Sequence, residues 1–153
     1  MWLPAGNVLN SGTGFLNPVE ETTLTIPSTA TKVITVGAYD ARFDQAAAFS
    51  GRGYTRATNQ VKPDLVAPGV EIMSCAPGGG YQVRTGTSMA TPFVTGSAAL
   101  LMQWGIVNGN DAYLYGEKMK AYLIRGARKL PGFTAYPNPV LGWGALCTAD
   151  SIP

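Results

Sequence analysis

Residues 86–102 read Gly86-Thr87-Ser88-Met89-Ala90-Thr91-Pro92-Phe93-Val94-Thr95-Gly96-Ser97-Ala98-Ala99-Leu100-Leu101-Met102, and this stretch decides the fold. It contains no charged residue, and small side chains are mixed with Val94, Leu100, Leu101 and Met102. The pattern predicts a helix from Ser88 to Trp104 that is apolar on every side and therefore packed in a protein interior. Small residues let neighbouring strands and helices approach it closely. Thr87 is the expected N-cap, its hydroxyl accepting from a free amide of the first turn. Pro92 lies slightly inside, removes one backbone donor and should bend the helix there.

Upstream, Lys32-Val33-Ile34-Thr35-Val36-Gly37-Ala38 is a β-branched run bounded by turn residues, which predicts a strand covered on both faces. The first thirty residues read as irregular, punctuated by Pro18 and Pro27. Ala46 to Tyr54 reads as a loop around Phe49-Ser50-Gly51, and Asp64 to Gly69 ends in a turn. Val70 to Ala76 and Tyr81 to Thr85 are short strand candidates joined through Pro77-Gly78-Gly79-Gly80. Downstream, Met119, Tyr122, Leu123, Ala127 and Leu130 recur at helical spacing, predicting a second helix from Glu117 to Lys129 that Pro131-Gly132 stops. Glu117 near its start and Arg125, Arg128 and Lys129 near its end suit the helix dipole. A short strand around Gly142-Trp143-Gly144 with a capping turn is expected in the tail. The reading is an α/β chain without repeat or linker, so residues 1–153 form one unit.

The chain has 153 residues, 46% of them hydrophobic and only 13% charged, which is the composition of a globular domain. Its net charge of +2, with no basic run longer than two, argues against nucleic acid and anionic membranes as partners. Ala98 to Met102 falls far short of the ~20 apolar residues of a membrane span. Met1-Trp2-Leu3-Pro4 has neither the basic nor the apolar region of a signal peptide, and the compartment stays open. Cys75 and Cys147 have no metal-ligand or disulfide-framework spacing and are expected as buried thiols. Asp40 and Asp44 read as solvated turn positions, and Trp143, Tyr113, Tyr115 and Tyr122 as packing residues. No metal or cofactor is expected. Gly78 to Gly80 followed by Gly86-Thr87-Ser88 lacks the spacing and the lysine of a phosphate loop.

A serine just after a glycine at a helix start is chemically useful. The unpaired amides and the positive end of the helix dipole favour the negative charge that develops on a carbonyl oxygen under attack. Gly86 leaves room for a substrate. The same position also suits an ordinary capping serine, so geometry leaves both readings open.

The motif Gly86 to Pro92 resembles the active-site signature of the subtilisin-like serine proteases, the subtilases. Other landmarks stand in the family's order: Val33 to Ala38, then Phe49-Ser50-Gly51, Lys62-Pro63-Asp64-Leu65-Val66-Ala67-Pro68-Gly69, Ile72-Met73-Ser74, and Ala98 to Leu101 on the helix. The resemblance covers about Ala5 to Ile152. It implies a subtilisin-like fold, with part of a parallel sheet and a buried central helix carrying the nucleophile. It implies Ser88 as nucleophile, forming an acyl-enzyme, and its backbone amide as one oxyanion donor. Asn7 in Ala5-Gly6-Asn7 would be the other donor, and Pro4, Ala5 and Gly6 one wall of a substrate pocket shared with Gly86 and Thr87. Read without the resemblance, Gly6-Asn7 is a turn. Phe93 stands where many members have histidine.

The chain contains no histidine. The family's Asp and His motifs precede everything found here, so the resemblance implies the C-terminal part of a peptidase domain, inactive by itself. Lysine does not replace the base, since Lys62, Lys118, Lys120 and Lys129 are expected in solvent and no Ser-x-x-Lys spacing surrounds Ser88. The implied parent is a serine endopeptidase acting on peptide or protein substrates, with structural calcium as a family trait that nothing in this chain supports. The implied partner is the missing N-terminal part or a second copy of the chain, covering the surface that half an α/β domain leaves open. The alternative is a non-catalytic pseudoprotease or peptide-binding module.

Overall fold

The computed structural model describes residues 8–153. Its centre is a three-stranded sheet in the order β2-β1-β5. Strand β1 (Val36–Asp40) pairs antiparallel with β2 (Gln45–Ala46) and parallel with β5 (Leu65–Pro68), Val36 opposite Leu65 through Tyr39 opposite Pro68. The tail extends this sheet by a parallel bridge between Val66 and Ala145, where the Val66 amide donates to Gly144 and the Leu146 amide to Val66. Strands β3 (Gly53–Tyr54) and β4 (Val61–Lys62) form a small antiparallel pair, and β6 (Ile72–Cys75) and β7 (Tyr81–Arg84) a hairpin.

Side-chain alternation along β5 divides the core. Leu65 and Ala67 face one way and join Ala38, Ala90, Val94, Leu101, Met119 and Leu123, while Val66 faces the other and joins Tyr39, Leu130, Leu141 and Ala145. Helix α1 (Thr87–Met102) lies against β1 and β5 and continues into a π-helical turn, Gln103–Val107. Helix α2 (Gly116–Arg125) and the short α3 (Thr148–Ser151) pack on its far end.

Several expectations are corrected. The strand starts at Val36, four residues later than predicted. Residues Leu65–Pro68 are a buried strand paired parallel to β1, a role the bracketing Asp64 and Gly69 concealed. Helix α2 ends at Arg125, and Gly126 follows it against Ser151, whose backbone nitrogen would lie 2.4 Å from any added Cβ. Arg128 then bridges Ala145 instead of continuing the helix. The tail around Trp143 forms turns and single bridges, not a strand. Thr87 makes no capping bond, and Gly86 is the N-cap. Cys75 is exposed and Cys147 half-buried. Tyr113 and Tyr115 are exposed, while Tyr122 packs on Trp104 at 6.2 Å between ring centroids. Lys62 is fully buried. Asp40 pairs with Arg42 and Asp44 with Arg128, and each cation holds its partner carboxylate below the ordinary range.

The largest correction concerns α1. Only Ala90, Val94, Ser97 and Leu101 are buried, one stripe at spacings of four, three and four. Phe93, Leu100, Met102, Ile106 and Val107 face solvent. The helical run Thr87–Val107 is, by length and composition, apolar enough to cross a membrane, although its inner stripe packs on the sheet. Among the described residues, the packing neighbours of α1 cover that inner stripe alone.

Candidate active site

Ser88 is the second residue of α1 and is exposed. Two glycines set its position. Gly86 adopts φ 156°, in the region that favours glycine, and its amide donates to Gly69 O at 2.8 Å. Gly69 in turn donates to Tyr39 O at 3.0 Å, at the end of β1. A Cβ on Gly69 would sit 2.6 Å from Ala38 Cβ and 3.0 Å from Gly86 O. The turn into α1 is thus seated on the C-terminal ends of the parallel pair β1 and β5.

The amides of Thr87 and Ser88 belong to the first helical turn and have no intrahelical acceptor. Met89 N donates back to Gly86 O at 3.0 Å. Thr91 Oγ1 donates to Thr87 O at 3.0 Å, and Pro92 leaves the Ser88 carbonyl without its helical donor. Among the described residues no hydrogen bond engages the Ser88 hydroxyl. An open hydroxyl beside two free amides at the positive end of a 16-residue helix suits the stabilisation of negative charge on a bound carbonyl.

Two depressions meet at Ser88. One, of about 740 Å³, runs along Thr87, Ser88 and Thr91 to Leu24, Val36 and Phe49. Its charged groups are Glu20 and Arg52, which pair with each other at 3.2 Å. The other, about 490 Å³ and shallow, is formed by Ser88, Thr91, Pro92 and Thr95. Thr91 and Pro92 belong to the motif read from the sequence, but neither they nor Thr95 were expected to line the site. Their separations from Ser88 of three, four and seven are the signal that places them on one helix face.

Of the expected site residues, the structure brings Gly86, Thr87 and Ser88 together. Pro4, Ala5, Gly6 and Asn7 lie outside the described residues. Lys62 and Lys120 are committed to Asp64, and Lys118 to Asp111. Lys129 stacks over Tyr136 at 4.2 Å and donates to Trp143 O at 2.6 Å. Each of the four lysines weighed as a substitute base is therefore engaged elsewhere.

An exposed serine at an open helix start, with that helix packed on the ends of parallel strands, places the chain among mixed α/β proteins. The pattern of the subtilase family matches residues 4–144, and the chain belongs to that family. It is 34% identical to the serine protease AprX of Bacillus subtilis (strain 168) over 169 aligned positions, covering 97% of this chain and 36% of AprX. It is also similar to the solved structure of the Clostridium perfringens CspB protease, with 48% identity and a TM-score of 0.88 over 94% of this chain and 30% of that one. The prenylagaramide maturation protease PagA matches at 30% identity and a TM-score of 0.66, over 83% of this chain and 44% of PagA. The fold is subtilisin-like, and the match spans between 18% and 36% of the length of these curated relatives.

Proposed function

We propose that this chain is the nucleophile-bearing part of a subtilisin-like serine endopeptidase. Ser88 attacks the carbonyl carbon of a peptide bond, and its proton passes to a base. The tetrahedral oxyanion is held by the Ser88 amide and by the side-chain amide of Asn7. Collapse releases the amine and leaves an ester on Ser88 Oγ, which water hydrolyses. Gly86 and Thr87 line the approach to the reacting bond, with Pro4, Ala5 and Gly6 forming a wall for the substrate side chain that precedes it. No metal takes part in this chemistry, and structural calcium belongs, if anywhere, to the rest of the parent.

The observation that carries this reading is the open Ser88 hydroxyl at the start of α1, in a chain 48% identical to a solved protease. The chain contains no histidine, so a histidine base comes from outside these 153 residues, and its orienting carboxylate is assigned there with it. The isolated chain is accordingly inactive. The test is hydrolysis of a fluorogenic peptide by the chain alone and by the chain joined to its complementary part, each with and without Ser88→Ala. Activity only in the joined form, lost with Ser88→Ala, supports the reading. Tight peptide binding with no turnover in the joined form favours a pseudoprotease instead.

A further inference from the structure

The larger cavity that opens on Ser88 holds one ion pair that the chemistry at Ser88 does not use. Arg52 and Glu20 are the only charged residues lining it among those described, and they are held very differently. The Arg52 backbone is locked in place. Its amide donates to Thr23 Oγ1 at 3.0 Å, and its carbonyl accepts from the Thr23 amide at 3.1 Å. The glycines on either side allow this approach: a Cβ on Gly51 would lie 3.2 Å from Thr23 O, and one on Gly53 would collide with Thr22 N. The Arg52 side chain is 19% exposed and that of Glu20 83%. A firmly seated, sheltered guanidinium is thus met by a carboxylate that stands in solvent.

The pairing is also incomplete. Among the described residues, Arg52 Nη1 donates to Glu20 Oε2 at 3.2 Å and Nη2 donates to Ala48 O at 3.3 Å. Both are long for bonds from a charged donor. A guanidinium is a planar fork that the two oxygens of one carboxylate satisfy together, and Glu20 engages it through one.

We propose that Arg52 is a specificity-determining residue that receives an acidic side chain of the peptide substrate, which takes the place of Glu20 on the guanidinium. The inference rests on the protease reading given above for the presence of a substrate at Ser88. Arg52 and Ser88 line the same cavity of about 740 Å³, so the recognised residue stands close to the cleaved bond. Leu24, Val36 and Phe49 on its walls offer no other charge to compete for the ligand. An ion pair with one solvated partner adds little to stability, so giving up Glu20 costs little. A substrate carboxylate that uses both oxygens then gains a bond that Glu20 does not make.

The test uses the joined protein and peptides capped as C-terminal amides, in which a single Glu or Gln is moved through the positions on either side of the cleaved bond. At one position Glu should exceed Gln by about tenfold or more in kcat/KM, the discrimination expected where a charged hydrogen bond is made or lost. Arg52→Gln should make the two peptides equal. Glu20→Gln alters an exposed side chain and does not threaten folding, and it should widen the preference about threefold because the internal competitor is gone. Affinities for the same peptides, measured with Ser88→Ala, give a second readout that needs no turnover. A Glu preference that survives Arg52→Gln, or that Glu20→Gln leaves untouched, overturns the proposal, as does the absence of any preference. A gain from the free C-terminal carboxylate of an uncapped Gln peptide, with none from Glu, would also overturn it by assigning Arg52 to a chain end. Hydrolysis without a Glu preference would leave the catalytic reading standing. A Glu preference in binding with no hydrolysis would uphold the role of Arg52 and sink the catalytic reading instead.

Discussion

The ammonium of Lys62 lies 2.7 Å from Asp64 Oδ2, with 1% of the lysine side chain and 6% of the aspartate side chain exposed. Lys120 of α2 reaches the other carboxylate oxygen at 2.7 Å, and the Thr35 amide donates to Oδ2 at 2.7 Å. Both lysines also donate to Val33 O at 3.2 Å. One buried carboxylate therefore ties together the approach to β1, the end of β4 and helix α2. Every polar atom of the group has a partner, which is the condition for tolerating charge in an interior.

Asp64→Ala should be among the most damaging single changes in the chain. It leaves Lys62 buried without a counter-charge and strips the Thr35 amide of its acceptor. Loss of one partner of a buried pair costs about 3–5 kcal/mol. Urea unfolding at neutral pH should register it, whereas Lys120→Ala, which keeps the inner pair intact, should cost distinctly less.

Burial pushes the Lys62 ammonium below the ordinary lysine value of 10.5, against the opposing pull of Asp64. Between that lowered value and 10.5, the unfolded chain binds the Lys62 proton more tightly than the folded one. Unfolding then takes up a proton, and this group's contribution to stability rises with pH across that window. The wild type should gain stability relative to Lys62→Met as alkaline pH is approached. Parallel profiles for the two proteins would contradict the assignment.

Two glycines, one beside the start of α1 and one inside it, should behave oppositely. Gly69→Ala forces a Cβ against Ala38 Cβ at 2.6 Å and Gly86 O at 3.0 Å, and none of these atoms can swing away. A loss of about 1–3 kcal/mol is expected, in the range of overpacked sites. Gly96→Ala adds its methyl to open space inside a helix and should stabilise by roughly 0.5–1 kcal/mol through helix propensity. Thermal unfolding of the two variants side by side distinguishes the effects.

The elements legible in the sequence were those whose pattern is local. The β-branched run into β1, the Gly-rich turn of the β6–β7 hairpin, and the helix opening at Gly86-Thr87-Ser88 each carry their own signal. What escaped depends on partners distant in sequence. Lys62 looked solvated because nothing near it announces Asp64 as a buried partner or the half-buried Lys120 that docks with α2 on the same carboxylate. The end of α2 at Arg125 falls well before Pro131, at a glycine that packs closely on Ser151. The outward face of α1 was misread for a related reason. Its residues are apolar on every side, so the pattern does not tell which stripe the described residues cover. At the site, Ser88, Gly86 and Thr87 were legible from one contiguous motif. The groove residues Thr91, Pro92 and Thr95 required the helix itself to be in place.

The central claim is that Ser88 is the nucleophile of a protease this chain only partly contains, and peptide hydrolysis by the joined protein tests it most directly. The account predicts measurable turnover in the joined protein, none from the chain alone, and a fall of roughly 10⁴-fold or more with Ser88→Ala. The exposed serine makes no bond that its removal would break, so unfolding stability should change by less than about 0.5 kcal/mol. Hydrolysis that persists with Ser88→Ala, in a protein shown to be folded, would contradict the account.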